Sequence, residues 1–247
     1  MKTPQSRAAQ TSLILFAVMG ALVHPAAAVI FPTSSSLGLH AESNAGAGLV
    51  QDDHAMGQTT SLNELSASVF ARASNGTLDA TTESSAVATW TSASAGQFSI
   101  DTRFTTDDLG AFYDSRVATG SPGWTYSFSS DQQAVLTLNY GITYTGPFSY
   151  STLLFLNQTS SGGGLHQFQF GAPSSGTLSF AINPNVNYTL QIFDDSNINV
   201  FLPAFASEMT GTFSFQIAPV PEPGSLTLLG ILAASAFSIH RRKHRRA

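Results

Sequence analysis

The chain has 247 residues, enough for one domain with a removable segment at each end, and its 43% apolar content with 11% aromatics excludes disorder by composition. Charged residues make up only 10% and the net charge is −5, yet from Val29 to Pro219 three basic residues (Arg72, Arg103, Arg116) stand against fourteen acidic ones. That net of −11 repels phosphate backbones and excludes nucleic acid as a partner, while the absence of cysteine excludes disulfides, thiolate metal sites and a cysteine nucleophile.

At the N-terminus Lys2 and Arg7 precede an apolar run from Leu13 to Val23, and His24-Pro25-Ala26-Ala27-Ala28 ends in an Ala-x-Ala site. This three-part pattern predicts a signal peptide over residues 1–28, cut after Ala28, with Ala26 and Ala28 as the small residues read by the peptidase. The eleven residues of the run would cover about 16 Å as a helix against a hydrocarbon core of about 30 Å, which disfavours a permanent anchor.

Residues 29–60 are rich in Ser, Ala, Gly and Thr and show no sustained period, which predicts a loop-rich lead-in with a short strand. Leu62 to Ala73 has apolar residues at 62, 65, 69 and 70 and fits an amphipathic helix or an early strand equally well. From about Val87 the period becomes two. Leu136, Leu138, Tyr140, Ile142 and Tyr144 alternate with Val135, Thr137, Asn139, Gly141 and Thr143, and Phe148, Tyr150, Thr152, Leu154 and Leu156 continue past Gly146-Pro147. This predicts two strands paired antiparallel across that turn.

The same pattern recurs at Phe98–Ile100, Trp124–Phe128, Phe168 with Phe170, Leu178–Ile182, Tyr188 with Ile192, and Phe213 with Ile217. Turns are predicted between them at Gly162–Gly164, Ser174–Gly176 and Asn183–Asn185. About eight short strands at spacings near ten residues predict an all-β domain over residues 61–219, an antiparallel β-sandwich of jelly-roll-like character.

Catalytic patterns are sparse. His40, His54 and His166 form no His-Glu-x-x-His pair, there is no Gly-x-Ser-x-Gly elbow, and no catalytic residue is assigned. Asp194 and Asp195, followed by Ser196 and Asn197, supply oxygen donors of the kind Ca²⁺ takes and are the candidate metal site, although adjacent Asp residues in a turn are usually only solvated. Carboxylates such as Asp101 and Asp131 are candidates for glycosidase chemistry, which needs two of them about 5–10 Å apart. Trp90 and Trp124 are candidates for stacking on sugars, with the core as the competing place for a Trp on an alternating strand.

The C-terminus reads Val220-Pro221-Glu222-Pro223-Gly224-Ser225, then an apolar block Leu226 to Ile239, then His240 and Arg241-Arg242-Lys243-His244-Arg245-Arg246-Ala247. Two prolines flanking Glu222 lack amide donors and disfavour helix, which keeps the triplet extended and open to a processing enzyme. The cluster Arg241, Arg242, Lys243, Arg245 and Arg246 should stay cytoplasmic, which places the large domain across the membrane. The fourteen residues 226–239 span about 21 Å as a helix, short for a stable span, and suit temporary retention. A buried amphipathic helix is disfavoured by the basic end, and a lipid-anchor signal would end apolar.

This tail, residues 220–247, resembles the PEP-CTERM sorting signal: a Pro-Glu-Pro triplet, one apolar segment and an Arg-rich terminus. The resemblance implies handling by a membrane-embedded exosortase, brief residence in the inner membrane, in Gram-negative bacteria that make exopolysaccharide, and release to the cell surface or extracellular matrix. It says nothing of the body's activity. The body has three readings: a non-enzymatic, exopolysaccharide-associated matrix protein first, a carbohydrate-binding module second, and a secreted hydrolase last.

Overall fold

A strand that alternates apolar and polar side chains has one face for water and one for a second sheet, and stacked sheets are how such faces are buried. The computed structural model describes residues 28–44, 49–58, 62–74, 79–106, 112–118, 123–146, 152–158, 163–170, 173–201 and 205–220. The chain divides into two compact units, Ala28–Ala218 and a second formed by Met1–Ala27 with Pro219–Ala247; the sandwich occupies the first.

Thirteen strands run in chain order: β1 (Ile30–Asn44), β2 (Leu49–Gln58), β3 (Leu65–Ser74), β4 (Asp79–Ser92), β5 (Ala95–Thr106), β6 (Phe112–Ala118), β7 (Trp124–Ser130), β8 (Ala134–Thr145), β9 (Thr152–Gln158), β10 (Gly163–Phe170), β11 (Ser174–Ile182), β12 (Tyr188–Phe201) and β13 (Phe205–Pro219). They make two antiparallel sheets with no helix among the described residues, so the sandwich expected from the alternation is present, with more strands than the eight of a jelly roll.

The seven-stranded sheet has the order β10-β9-β12-β6-β1-β2, and β7 also pairs with β1 and β12. His40 faces Ala118 and Leu37 faces Trp124, so β6 and β7 occupy one strand position end to end. The six-stranded sheet has the order β11-β8-β13-β5-β4-β3.

Several local expectations change. Residues 29–60, expected as a loop-rich lead-in, hold β1 and β2 paired from Ser35↔Gln58 to Asn44↔Leu49. The buried side chains of β1 are Ile30 and then, past a register shift between Pro32 and Ser34, Ser35, Leu37, Leu39, Ala41 and Ser43, so hydroxyls and an alanine interrupt its apolar face and the contrast that reveals a period of two is weakened. The ambiguous stretch at 62–73 is strand β3. The strands on either side of Gly146 are not partners: β8 pairs with β11, and β9 pairs with β10 and β12 in the other sheet. Alternation fixes faces but not neighbours. Gly146 turns the chain between sheets at φ 92°, where a Cβ would lie 2.5 Å from the Ala206 carbonyl oxygen.

Ser174–Gly176, expected as a turn, opens β11 opposite Ile142, Gly141 and Tyr140. Gly176 is glycine because the Tyr140 ring lies over it: a Cβ there would meet the phenol oxygen at 2.9 Å. Gly163 and Gly164, expected as turn residues, pair with Gln158 and Asn157 in β10. Asn183–Asn185 is a turn as expected, with Asn185 at φ 59°.

Between the sheets the interior is graded from aromatic to polar. Phe98 of β5 stacks on Trp124 of β7 at 5.2 Å, and Phe215 of β13 meets Tyr126 of β7 at 5.2 Å, so rings from both sheets interleave. Trp90, Phe128, Phe213 and Tyr188 extend the column. The Tyr126 hydroxyl donates to the Ala93 carbonyl at 2.5 Å and ties β7 to the β4–β5 turn. At the other end the buried positions carry Ser43, Thr82, Ser84, Thr102, Thr152, Asp194 and Ser207.

Trp124 is fully buried at the centre of the aromatic column. Trp124→Ala is expected to cost about 3–5 kcal/mol through lost transfer energy and the cavity left behind. Phe70→Ala, at a side chain 52% exposed on edge strand β3, is expected to stay within about 0.5 kcal/mol of wild type. Equilibrium unfolding in urea checks both.

Candidate functional site

The end of the body that leads into the tail is firmly built. β13 is an interior strand of its sheet, paired with β5 from Phe205↔Thr106 to Gln216↔Ala95, and Ile217 N donates to the Ser94 carbonyl at 2.7 Å. Strand structure runs to Pro219 and Val220 follows, exposed. Pro221, Glu222 and Pro223, the apolar block 226–239 and the basic cluster Arg241, Arg242, Lys243, Arg245 and Arg246 lie outside the described residues. Among the described residues no helix is long and apolar enough to cross a membrane.

At the other terminus Ala26 lies outside the described residues, whereas Ala28 is half-buried against the core and Val29 is exposed. Phe215, near the end of β13, packs on Tyr126, whose strand continues through Phe128 beside Pro32 of β1 toward Ile30. Both ends of the body therefore leave from the aromatic end of the sandwich.

The candidate metal residues do not sit in a turn. Asp194 is an inward residue of β12, 1% exposed, and its Oδ2 accepts a hydrogen bond from Thr102 Oγ1 at 3.2 Å, with Ser84 Oγ 3.3 Å from the same threonine oxygen. Asp195 pairs with Ala118, and its side chain lies outside the described ones. No group of three or more His, Asp or Glu gathers as a metal set among the described residues. Burial pushes the nearby Tyr144 phenol up to about 12, the Asp194 charge adds to this, and the nearby Thr152 hydroxyl opposes it.

Among the other chemistry-bearing side chains, His40, Asp101 and Asp131 have structural partners. His40 Nε2 lies 2.7 Å from Glu42 Oε1 on β1, while His54 on β2 is exposed. His166 is on β10 with its side chain outside the described ones. Asp101 Oδ2 accepts from Thr210 at 3.1 Å and Asp131 Oδ1 from the Val29 amide at 2.9 Å, so each carboxylate of that candidate pair is held by a different element. On the exposed β3–β4 edge, hydrogen bonds from Ser74 and Arg72 hold the Asp79 carboxyl below its usual range. Trp124 is fully buried in the core cluster, and Trp90, partly buried, packs against that cluster.

A groove with no counterpart among the sequence motifs crosses the outer face of the six-stranded sheet. It has a volume of about 590 Å³ and its polar lining is Thr89 of β4, Gln97 and Ser99 of β5, Asn139 of β8, and Thr212 and Ser214 of β13, while Val87, Phe98, Tyr140, Gly141 and Phe213 supply a larger apolar share. No charged residue lines it. Thr212 Oγ1 donates to the Gly141 carbonyl at 3.3 Å across the floor, and Thr177 donates to Asn139 Oδ1 at 2.7 Å at its edge. Its signal in the sequence is the outward half of strands whose inward half marks the core.

A body that ends in an anchored strand, followed at once by a Pro-Glu-Pro triplet, an apolar block and a basic terminus, defines an exported protein carrying a C-terminal sorting tag. Residues 219–243 match the PEP-CTERM protein-sorting motif. The tag marks an exported protein processed by an exosortase at the cell envelope for surface display. No curated protein matches the chain.

The tag and the half-buried Tyr144 phenol each carry a prediction. Substituting the triplet as a unit, Pro221→Ala with Glu222→Ala and Pro223→Ala, is expected to leave the chain uncut in the membrane fraction, ending at Ala247. Mass spectrometry of wild type should find a mature terminus between Pro219 and Gly224. Separately, the fold favours the protonated Tyr144 phenol, so its contribution is complete below the unfolded value of about 10. It is lost as pH climbs to about 12. The urea midpoint should fall across that window, and Tyr144→Phe should remove part of the fall.

Proposed function

We propose that the body is a non-enzymatic matrix protein that holds a neutral exopolysaccharide chain in the outer groove of the six-stranded sheet, after a cleaved leader and the sorting tag have brought it to the surface. The observation that carries this reading is the lining of that groove. Hydroxyls and carboxamides from four strands stand there among the apolar surface of Val87, Tyr140, Phe98 and Phe213, with no ionised group, which suits the mixed hydroxyl and C–H faces of an uncharged sugar polymer. The net of −11 over the body opposes an acidic polymer. The partnering of Asp101, Asp131, Asp194 and His40 within the fold supports a binding role over a hydrolytic one.

The test is retention of the full exported protein on the producing strain's own exopolysaccharide by affinity electrophoresis. Loss of two hydrogen-bonding groups at about 0.5–1.5 kcal/mol each predicts that Gln97→Ala with Asn139→Ala weakens retention by roughly tenfold. Equal mobility with and without polymer, or sustained shortening of the polymer, would sink the reading.

A further inference from the structure

Val29 follows the Ala-x-Ala stretch that ends at Ala28 and immediately precedes β1. One residue grips its backbone from both sides: Val29 N donates to Asp131 Oδ1 at 2.9 Å, and Asp131 N donates to the Val29 carbonyl at 3.3 Å. The partners are 102 residues apart in sequence, so tertiary structure creates the clamp. The β7–β8 turn that carries Asp131 is itself fixed. Ser130 Oγ donates to the Gln132 carbonyl at 2.7 Å, and Asn185 N donates to the Ser130 carbonyl at 2.7 Å.

A neutral amide can be satisfied by any carbonyl, whereas a carboxylate in that place suits a cation. We propose that Asp131 is the receptor for the mature N-terminus, an inference that rests on the export reading above. A membrane signal peptidase hydrolyses the Ala28–Val29 peptide bond: water gives its hydroxyl to the Ala28 carbonyl carbon and a proton to the Val29 nitrogen. With an α-amino pKa of about 7.7–8.0 the nitrogen takes a further proton at neutral pH. The amide donor at 2.9 Å becomes an ammonium in the same place, and the hydrogen bond becomes an ion pair. Ala28 packs against the core, so its extended presentation to the peptidase belongs before the body closes. Closure then seats the new terminus.

The chain offers a clean reporter. Its lysines are Lys2 and Lys243, one in the leader and one in the tag, so the doubly processed protein has its α-amine as the sole primary amine. The full chain is expressed with export in a Gram-negative host, the surface fraction is recovered, its N-terminus is sequenced, and the rate of α-amine acetylation is followed by peptide mass mapping.

The expected product begins at Val29, and Asp131→Asn is expected to acetylate at least threefold faster, because the pair holds the amine in its unreactive protonated form. Asp131→Glu, which keeps the charge, should stay near the wild-type rate and controls for loss of fold. A surface product beginning at Val29 whose Asp131→Asn variant reacts at the wild-type rate overturns this inference and leaves export intact. A surface product that begins elsewhere overturns the assignment of Val29. A chain that keeps Met1 and never reaches the surface overturns the export reading with it.

Discussion

The fold depends on the interleaving of aromatic rings between the sheets. With no cysteine, the chain has no covalent brace, and the sheets are held by what they bury. Phe98 on Trp124 and Phe215 on Tyr126 are contacts from one sheet to the other, each contributing about 0.5–1.5 kcal/mol beyond its area. They also fix register. A slip of one residue in β5 would turn Phe98 and Ile100 outward and bring Gln97 and Ser99 in, burying polar groups against rings. At this level the site follows from the core, because Gln97 and Ser99 flank Phe98 and Thr212 and Ser214 flank Phe213. The groove floor is backed directly by the aromatic part of the interior.

The opposite end solves a different problem. Small hydroxyl side chains let the sheets approach, and each hydroxyl needs a partner once water is gone. Ser43 reaches Thr82 at 2.7 Å and Thr82 the Glu42 carbonyl at 2.7 Å, joining β1 to β4 across the layers, while Thr102 meets Asp194 and Ser207 donates to the Thr145 carbonyl at 3.0 Å. The links are directional, so this end specifies which strands face each other where apolar contacts would tolerate several arrangements.

These two ends explain what is legible in the sequence. Where large rings alternate with polar residues, as along Trp124–Phe128 and Phe213–Ile217, strand and face can be read directly. Where buried side chains are Ala, Ser and Thr, as at Ala80, Thr82 and Ser84 of β4 or at Ser35, Ala41 and Ser43 of β1, inside and outside look alike by hydropathy, and β1 reads as loop. Pairing is the hardest part, since β8 and its neighbour β13 are far apart in sequence and nothing in either strand names the other. The sorting tag is legible because its residues are contiguous. The groove is not, because its lining comes from four strands spread between residues 87 and 214.

The placement of the two ends has a consequence for how the body is held. A strand in the middle of a sheet cannot be drawn out without breaking two ladders, and β13 lies between β8 and β5. The tag begins where that strand stops, so cutting it removes no hydrogen bond of the β13 ladders. At the front the expected cut removes Ala28, which packs against the core, and the Asp131 clamp acts on the residue just past it. Because both ends leave at the aromatic end, a tether at either one pulls on the region best braced between sheets and leaves the hydroxyl-linked end unloaded. Processing at the C-terminal end is thereby separated from the ladders of the domain that it releases, whereas processing at the front acts on a contact of the body itself.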